Sequence, residues 1–311
     1  MFVKDFKELS KKDVGIAGGK GASLGEMTDA GIPVPPGFVV LADAFEHLIK
    51  KTDINVEIDS LLSRVRHEDI NSVEKASSQI RDLIADAQFP EDIAKEVESH
   101  FKKLGAKFVA VRSSATAEDS SVASWAGELE SYLNIDKNNL LEAVKKCWSS
   151  LFTPRAIFYR FEKKLHKTKV SVAVVVQKMV QSEASGIVFT VHPVTKDYGQ
   201  MVIEAGYGLG EAIVGGRITP DTAVIDKKSW VIMDINISEQ SMMIVRKGNG
   251  TVEAKVPEAK RGEQKLDNEN LLKLARLCGD IEKHYGTPQD IEWAMEGGEF
   301  YITQSRPITT L

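Results

Sequence analysis

The sequence predicts an α+β fold in two lobes, a helix-rich first lobe over residues 1–180 and a sheet-rich second lobe over residues 181–311. Between residues 43 and 104, apolar side chains recur at spacings of three and four with charged residues between them, as in amphipathic helices. From residue 170 onward, short runs rich in valine and isoleucine are separated by turn-forming residues, as in strands. A helix-rich half followed by a sheet-rich half is typical of two separately packed parts.

The first lobe is predicted to open with a glycine cluster, Gly18-Gly19-Lys20-Gly21, that leads into a helix. Gly31 and Pro33 end that helix, because neither residue continues a helix well. The elements predicted here are a helix at 22–30, mostly helices at 43–104, a strand at 108–111 and a helix at 139–163, and an apolar run covers 38–41.

The second lobe is predicted to be built mainly of strands. These strands cover 170–180, 186–191, 201–205, 222–225 and 230–237, and the final pair covers 290–295 and 300–304. A glycine-rich segment at 206–216 interrupts the series, residues 246–268 form a polar stretch, and a helix is predicted at 269–284.

The composition is that of an acidic globular chain, with 40 Lys plus Arg against 45 Asp plus Glu and 42% hydrophobic residues. The acidic balance argues against nucleic acid as a partner. The longest strongly apolar run, 170–176, is far shorter than the ~20 residues of a membrane helix, and the N-terminus has no signal-peptide core. Two widely separated cysteines form no disulfide framework. We therefore expect a soluble cytoplasmic protein.

Two features of the first lobe indicate an anion-binding role. The glycines around Lys20 allow backbone amides to approach a phosphate, although the spacing is not that of a P-loop, and a flexible turn is the alternative interpretation. Arg112 is predicted to follow directly on a buried strand, where its guanidinium can bind phosphate through two parallel hydrogen bonds. A surface ion pair with Glu118 or Asp119 is the alternative for this arginine.

A glycine-rich run, from Glu204 to Glu211, follows the predicted strand at 201–205. Its glycines do not have the spacing of a dinucleotide-binding fold, so the sequence does not support a nicotinamide cofactor. The two carboxylates that flank the run either face a metal-bound polyphosphate or lie in solvent.

The C-terminal hairpin is the most informative segment. Alternation along a strand puts Asp290 and Glu292 on one face, and Gln304 and Arg306 share a face of the next strand. A two-residue Gly-Gly loop would put Gln304 on the face away from Glu292. A three-residue loop, 297–299, instead sets Glu292 opposite Gln304 and Asp290 near Arg306. That register suits Mg²⁺ and phosphate, and a half-exposed hairpin with cross-strand ion pairs is the alternative.

Several segments together resemble the N-terminal ATP-binding domain of one enzyme family. This family includes phosphoenolpyruvate synthase (pyruvate, water dikinase), pyruvate phosphate dikinase and rifampicin phosphotransferase, and the chain looks most like the synthase branch. The segments are GGKGASLGEM at 18–27, PVPPGFVV at 33–40, AVRSSATAEDS at 110–120, LFTPRAIFYR at 151–160, EAGYGLGE at 204–211, TPDT at 219–222, IEKHYGTPQDIEWA at 281–294 and ITQSRP at 302–307.

The resemblance implies an ATP-grasp fold that holds Mg²⁺·ATP between its two lobes. In the first lobe, Lys20 and Arg112 would grip the polyphosphate. The strand that ends with Lys178, Met179 and Val180 would offer backbone groups to adenine. Phosphoryl transfer depends on such positioning and on charge neutralisation more than on covalent chemistry by the protein.

For the second lobe, the resemblance implies that Glu292 and Gln304 hold Mg²⁺. Arg306 would contact the phosphates, Asp290 would lie beside the reacting phosphates, and Glu211 would lie near the triphosphate. The residues implied to act on the transferred group are Arg112, Asp290 and Arg306.

Two departures from the family pattern affect these expectations. A predicted flap, 124–128, has Trp125 and Glu128 where the family usually has Phe and Gln. A carboxylate at position 128 either points away from the triphosphate or helps to hold a second metal, so Glu128 is not assigned to the site. Family members also continue into a domain with a phospho-accepting histidine and then into an acceptor-binding barrel, whereas this sequence ends five residues after Arg306.

The resemblance therefore implies the nucleotide half of a dikinase-type phosphotransferase. The chain would donate phosphate from ATP to a histidine on another domain or subunit, and that histidine would phosphorylate pyruvate bound by a further domain. Either the chain is a piece of a longer enzyme or it is one subunit of a split enzyme. In the second case the acceptor is pyruvate or another molecule, as in phenylphosphate synthase or rifampicin phosphotransferase. A non-catalytic ATP-binding regulatory module is the alternative of a different class.

Overall fold

The contacts within the chain divide it into two compact units, and together these form an α+β protein. Unit 1 comprises Met1–Glu26 and Pro36–Met179, and unit 2 comprises Met27–Pro35 and the chain from Val180 onward. The computed structural model describes residues 1–116, 130–163, 165 and 171–309.

Unit 1 combines one antiparallel sheet with most of the helices described in the chain. Its strands are β1 Val3–Asp5, β2 Gly37–Val40, β3 Val109–Ala115, β4 Ser131–Ile135 and β5 Val172–Lys178, and their order in the sheet is β1-β2-β5-β3-β4. The helices before unit 2 resumes are α1 Val14–Asp29, α2 Ala42–Lys51, α3 Asn55–Ser63, α4 Ile70–Asp86, α5 Glu91–Leu104, α6 Leu140–Ser149 and α7 Pro154–Glu162.

The core of unit 1 lies where the helices pack on this sheet. Residues 172–176 of β5 are all fully buried, which explains why this strand has a continuous apolar sequence instead of an alternating one. Amphipathic helices α2, α4 and α6 contribute Phe45, Ile80 and Trp148 to the same core. The helical periodicity in the first part of the sequence thus reflects burial against one face of a sheet.

Several predicted elements of unit 1 have different bounds in the structure, and two of these differences have a clear physical reason. β3 continues to Ala115 and does not end at residue 111, because Ser113 and Ser114 are small enough to be buried in the sheet. Arg112 therefore lies within the strand and not at its end. The predicted helix at 139–163 is divided, since Thr153 caps a new helix by accepting the Ala156 N–H at 3.1 Å and Pro154 occupies its first position.

Unit 2 is built on a six-stranded antiparallel sheet that is covered on one face by a helix. The strands of unit 2 are β6 Ala184–Phe189, β7 Gln200–Tyr207, β8 Asp221–Asp226, β9 Val231–Asn236, β10 Met242–Lys247, β11 Gly250–Lys255, β12 Gln289–Glu296 and β13 Glu299–Pro307. The helices are α8 Glu211–Val214 and α9 Asn268–Tyr285. The order of the large sheet is β13-β12-β6-β7-β8-β9, and α9 packs against β7, β8, β9 and β12.

Two features of unit 2 were not predicted. The polar stretch 246–268, in which no strand was named, contains most of a separate β10–β11 hairpin, whose largely polar, exposed side chains leave a weak alternation signal. The segment Met27–Pro35 belongs to unit 2, where the Pro33 carbonyl accepts the Ile302 N–H at 2.9 Å. Among the helices of the described ranges, none is long and apolar enough to cross a membrane.

Candidate functional site

The hairpin of β12 and β13 has the predicted side-chain pairing, but a different turn and a β-bulge produce it. Its turn is the two-residue loop Gly297-Gly298, and both glycines have the positive φ angles, 61° and 78°, that a tight hairpin turn requires. The register then shifts by one residue after Trp293 pairs with Ile302. The predicted three-residue loop is wrong, and a β-bulge supplies the extra residue instead.

Because of this bulge, Glu292 lies opposite Gln304 and Asp290 lies opposite Arg306. The Gln304 Nε2 donates to Glu292 Oε1 at 3.3 Å. The Arg306 guanidinium donates from Nε and Nη2 to Asp290 Oδ2 at 2.9 and 2.6 Å. A carboxylate–amide pair and a carboxylate–guanidinium pair therefore lie side by side on one face of the sheet.

A third carboxylate, Glu204 on β7, lies on the same face. Glu292 is opposite Ile187 on β6, and Ile187 is opposite Glu204, so the three side chains project from the same side of the sheet. Burial and the nearby charge of Asp290 raise the pKa of Glu204. Sequence reasoning left open whether Glu204 faces a metal-bound polyphosphate or solvent, because only the strand order brings β7 within two strands of β12.

The pKa of Asp290 is also raised, chiefly by burial and further by Glu292, while Arg306 acts in the opposite direction. The side chain of Asp290 is 14% exposed and that of Arg306 is 38% exposed. Burial thus disfavours the charged form of Asp290 even beside a guanidinium, and a proton or a bound cation would relieve this cost.

The raised pKa of Glu204 predicts a pH dependence of stability. A carboxyl that holds its proton more tightly in the folded protein stabilises the fold below the ordinary pKa of 4.5, and this contribution is lost as the pH rises through the raised pKa. At pH 7 without divalent cations, Glu204→Gln should therefore melt at a higher temperature than the wild type, by roughly 2–4 °C for each kcal/mol of repulsion removed. The difference should shrink at pH 4. Exposed Glu239→Gln is the control, and an unchanged or lower melting temperature for Glu204→Gln at pH 7 would contradict the assignment.

A buried polar network supports the strand ends that carry Asp290 and Arg306. On the opposite face of the sheet, Gln289 Oε1 accepts from Ser305 Oγ at 2.9 Å, and the Gln289 N–H donates to Thr190 Oγ1 at 2.8 Å. Gln289, Ser305 and Thr190 are at most 3% exposed. Since buried polar groups are costly unless all are paired, this network fixes how the ends of β6, β12 and β13 align.

The donor set on this face fits Mg²⁺. Among the described residues, no group of three or more His, Cys, Asp or Glu side chains is arranged as a complete metal cage. Magnesium commonly takes only one or two carboxylates and completes its shell with phosphate oxygens and water. Glu292 and Gln304 offer one carboxylate and one amide oxygen in adjacent positions.

In unit 1, the glycine cluster packs against the strand that carries Arg112. Gly18 interrupts α1 with φ +69°, and a Cβ built there would lie 2.2 Å from Ser114 Oγ and 2.4 Å from the Ser114 carbonyl oxygen. Ser114 Oγ also accepts the Gly21 N–H at 3.3 Å. Ser114 and Arg112 lie on the same face of β3, because side chains alternate along a strand. The part of α1 that contains Lys20 therefore packs on the face of β3 that carries Arg112.

The other sequence-predicted residues occupy defined places. At the end of β5, the N–H groups of Lys178 and Met179 donate to the Pro36 and Phe108 carbonyls at 2.8 and 3.0 Å, so only their carbonyls or side chains can serve a base. Val180 is buried, and Glu211 is exposed as the first residue of α8. The predicted flap at 124–128, including Trp125 and Glu128, lies outside the described residues, as do Glu118 and Asp119.

The chain matches one family model over almost its whole length. The model is that of the pyruvate phosphate dikinase AMP/ATP-binding domain, and it matches residues 14–311. The match includes the glycine cluster, Arg112, the glycine-rich loop and the final hairpin.

Individual proteins give a consistent comparison. A probable phosphoenolpyruvate synthase of Methanocaldococcus jannaschii is 48% identical over 318 residues, which cover 100% of this chain and 27% of that protein. A rifampicin phosphotransferase of Bacillus cereus is 40% identical over 313 residues, which cover 100% of this chain and 36% of that protein. The chain therefore spans only about a third of the length of these curated relatives.

Among solved structures, a D-alanine–D-alanine ligase of Helicobacter pylori aligns with 69% of this chain and 46% of that chain at 12% identity and a TM-score of 0.29. A TM-score this low supports no conclusion about the fold, which is described by its own strand order.

Proposed function

The chain belongs to the family of the pyruvate phosphate dikinase AMP/ATP-binding domain, and from this premise we propose that it binds Mg²⁺·ATP as the nucleotide half of a phosphoenolpyruvate synthase-like dikinase. It donates phosphate to a histidine on another domain or subunit. The overall reaction converts ATP, pyruvate and water into AMP, phosphoenolpyruvate and phosphate. The relatives' greater length supports the need for further domains.

The observation that carries this proposal is the polar face of unit 2. Glu292 and Gln304 form the pair that would hold Mg²⁺, and the bound ion would neutralise charge on the terminal phosphates of ATP. Arg306 orients phosphate oxygens with its guanidinium. Asp290 in turn holds this guanidinium in place through two hydrogen bonds at 2.9 and 2.6 Å.

Unit 1 supplies the remaining positive charge in this proposal. Lys20 and Arg112 bind the polyphosphate, with Arg112 acting on the transferred group. The carbonyls at Lys178 and Met179, together with Val180, contact the adenine base, and Glu211 of unit 2 lies near the triphosphate. We further propose that the two units are the two lobes of an ATP-grasp fold.

One comparison supports a second candidate for the phosphate acceptor. The rifampicin phosphotransferase relative is 40% identical to this chain, against 48% for the synthase relative, so the nucleotide half does not by itself define the acceptor. A histidine-bearing partner that releases AMP only with pyruvate would support the synthase assignment. AMP release only with a rifamycin or with phenol would replace it, and ATP retained with every partner would favour a regulatory module.

Calorimetric titration of Mg²⁺·ATP into the wild-type chain and into Arg112→Ala and Glu292→Ala tests the proposal. We expect binding by the wild type and a tenfold or greater loss of affinity in each variant, about 1.4 kcal/mol, because each removes a charge that faces the ligand. Exposed Arg66→Ala and Glu239→Ala are the controls for the two changes of charge. Wild-type affinity in both site variants would place the nucleotide elsewhere and reject the assignment.

A further inference from the structure

The side chain of Gln240 forms hydrogen bonds with the backbone at the point where the glycine-rich run leaves the sheet. Gln240 is 1% exposed. Its Oε1 accepts the Tyr207 N–H at 2.9 Å, and its Nε2 donates to the Tyr207 carbonyl at 3.0 Å and to the Met242 carbonyl at 2.9 Å. β7 pairs with β8 only as far as Ala205. At Tyr207 the amide of Gln240 therefore supplies the hydrogen bonds that β8 would otherwise make.

Hydrogen bonds from two sides fix the backbone of the next two residues of the run. The Gly208 carbonyl accepts hydroxyl hydrogen bonds from Ser182 at 3.0 Å and from Ser185 at 2.7 Å. On the other side, the Leu209 N–H donates to the Ile244 carbonyl of β10 at 2.9 Å. The run from Gly206 to Gly210 thus has a fixed path, although its glycines would otherwise give it high conformational freedom.

The segment that carries Gln240 is itself anchored to the sheet. The carboxylate of Asp221 on β8 accepts from the Ser238 N–H at 2.9 Å, from the Lys265 N–H at 2.8 Å and from the Lys265 ammonium at 2.9 Å. The side chain of Lys265 is 0% exposed and that of Asp221 is 6% exposed. Asp221 belongs to the TPDT motif at 219–222, for which the proposed function provides no role.

We infer that Gln240 is a positioning residue that holds the glycine-rich run in place and thereby sets the position of Glu211. The backbone amide and carbonyl of Tyr207 need partners in this buried place, and the amide of Gln240 is the group that satisfies both. Four residues later the same run presents the exposed Glu211 at the start of α8. This inference rests on the proposed function for the claim that the position of Glu211 affects ATP.

The test combines hydrogen exchange with a double-mutant cycle. In Gln240→Met, which keeps the length of the side chain, we expect the Tyr207 and Leu209 amides to exchange at least tenfold faster. We also expect Mg²⁺·ATP to bind at least fivefold more weakly. In a Glu211→Ala background the same substitution should leave ATP affinity unchanged, because its effect passes through Glu211.

A matched control is Gln79→Met, the same substitution at an exposed glutamine of α4 in unit 1. If the Met variant does not fold, Gln240→Asn replaces it, because that variant keeps the amide but withdraws it from Tyr207 by one methylene. Faster exchange with unchanged ATP affinity, or equal weakening with and without Glu211, would overturn the inference. Failure of the wild type to bind ATP would reject the proposed function and with it the link between Gln240 and ATP. The hydrogen-exchange rates of the Tyr207 and Leu209 amides would still show whether Gln240 holds the run.

Discussion

Removal of divalent cations is expected to weaken ATP binding to this chain at least hundredfold, which corresponds to about 2.7 kcal/mol. The reason is the charge of the polar face in unit 2, where Glu204, Asp290 and Glu292 project from the same side of the sheet. Two unit charges 4 Å apart interact with about 4 kcal/mol at an effective dielectric constant of 20. A triphosphate without its cation therefore meets repulsion that Arg306 alone does not offset.

Titrations of ATP with excess Mg²⁺ and with a chelator measure this effect. The informative variant is Glu204→Gln/Glu292→Gln, which removes two negative charges at nearly constant volume. It should bind Mg²⁺·ATP more weakly than the wild type and metal-free ATP more tightly, so the two affinities should change in opposite directions. Equal affinities of the wild type with and without the cation would contradict the assignment of Glu292 and Gln304 as metal ligands.

The second large effect concerns the buried ion pair of Asp221 and Lys265. Lys265→Met is expected to lower the free energy of unfolding of unit 2 by about 3–5 kcal/mol, because it leaves a buried carboxylate without its counter-charge. Lys265 Nζ also donates to the Ser238 carbonyl at 2.5 Å and to the Arg261 carbonyl at 3.3 Å, so two further acceptors lose a donor. Native-state hydrogen exchange of the β8 amides reports this free energy locally.

Exposed Lys260→Met is the matched control, and it should change the stability by less than about 0.5 kcal/mol. Adding Asp221→Asn to Lys265→Met should recover part of the loss. The neutral amide oxygen still accepts one of the two backbone N–H groups, from Ser238 or from Lys265, and the side chain no longer requires a counter-charge. A double variant that is as unstable as the sum of the two single variants would show that the cost is lost packing and not an unpaired charge.

The final hairpin shows which features of the site can be predicted from the sequence and which cannot. Alternation correctly places Asp290 and Glu292 on one face, since a strand has a period of two. The pairing Glu292–Gln304 is also as predicted, but the loop that was expected to produce it is wrong. A bulge near Thr303 depends on how β12 and β13 pack in the sheet, and no local residue pattern specifies it.

Arg112 illustrates the same limit in unit 1. The sequence indicates a buried strand before this arginine, but serines after it are typical of a loop, so the strand was expected to end there. In the structure Ser113 is buried because its hydroxyl donates to the Cys147 carbonyl at 3.2 Å and lies 2.9 Å from Ser150 Oγ. These partners come from α6 and the turn after it, more than thirty residues away in the chain.

By itself, the sequence determined the properties that depend on local periodicity and on motifs: the α+β class, most helices and strands, the family, and the alternation that puts Asp290 and Glu292 on one face of a strand. Only the tertiary structure decided which distant segments meet. Strand order brings Glu204 to the face of Asp290, and the anchoring of one loop by Asp221 brings Gln240 to the backbone of Tyr207. The physical reason is that a hydrogen bond or a raised pKa depends on neighbours in space, and the packing of apolar faces selects those neighbours only after the local elements have formed.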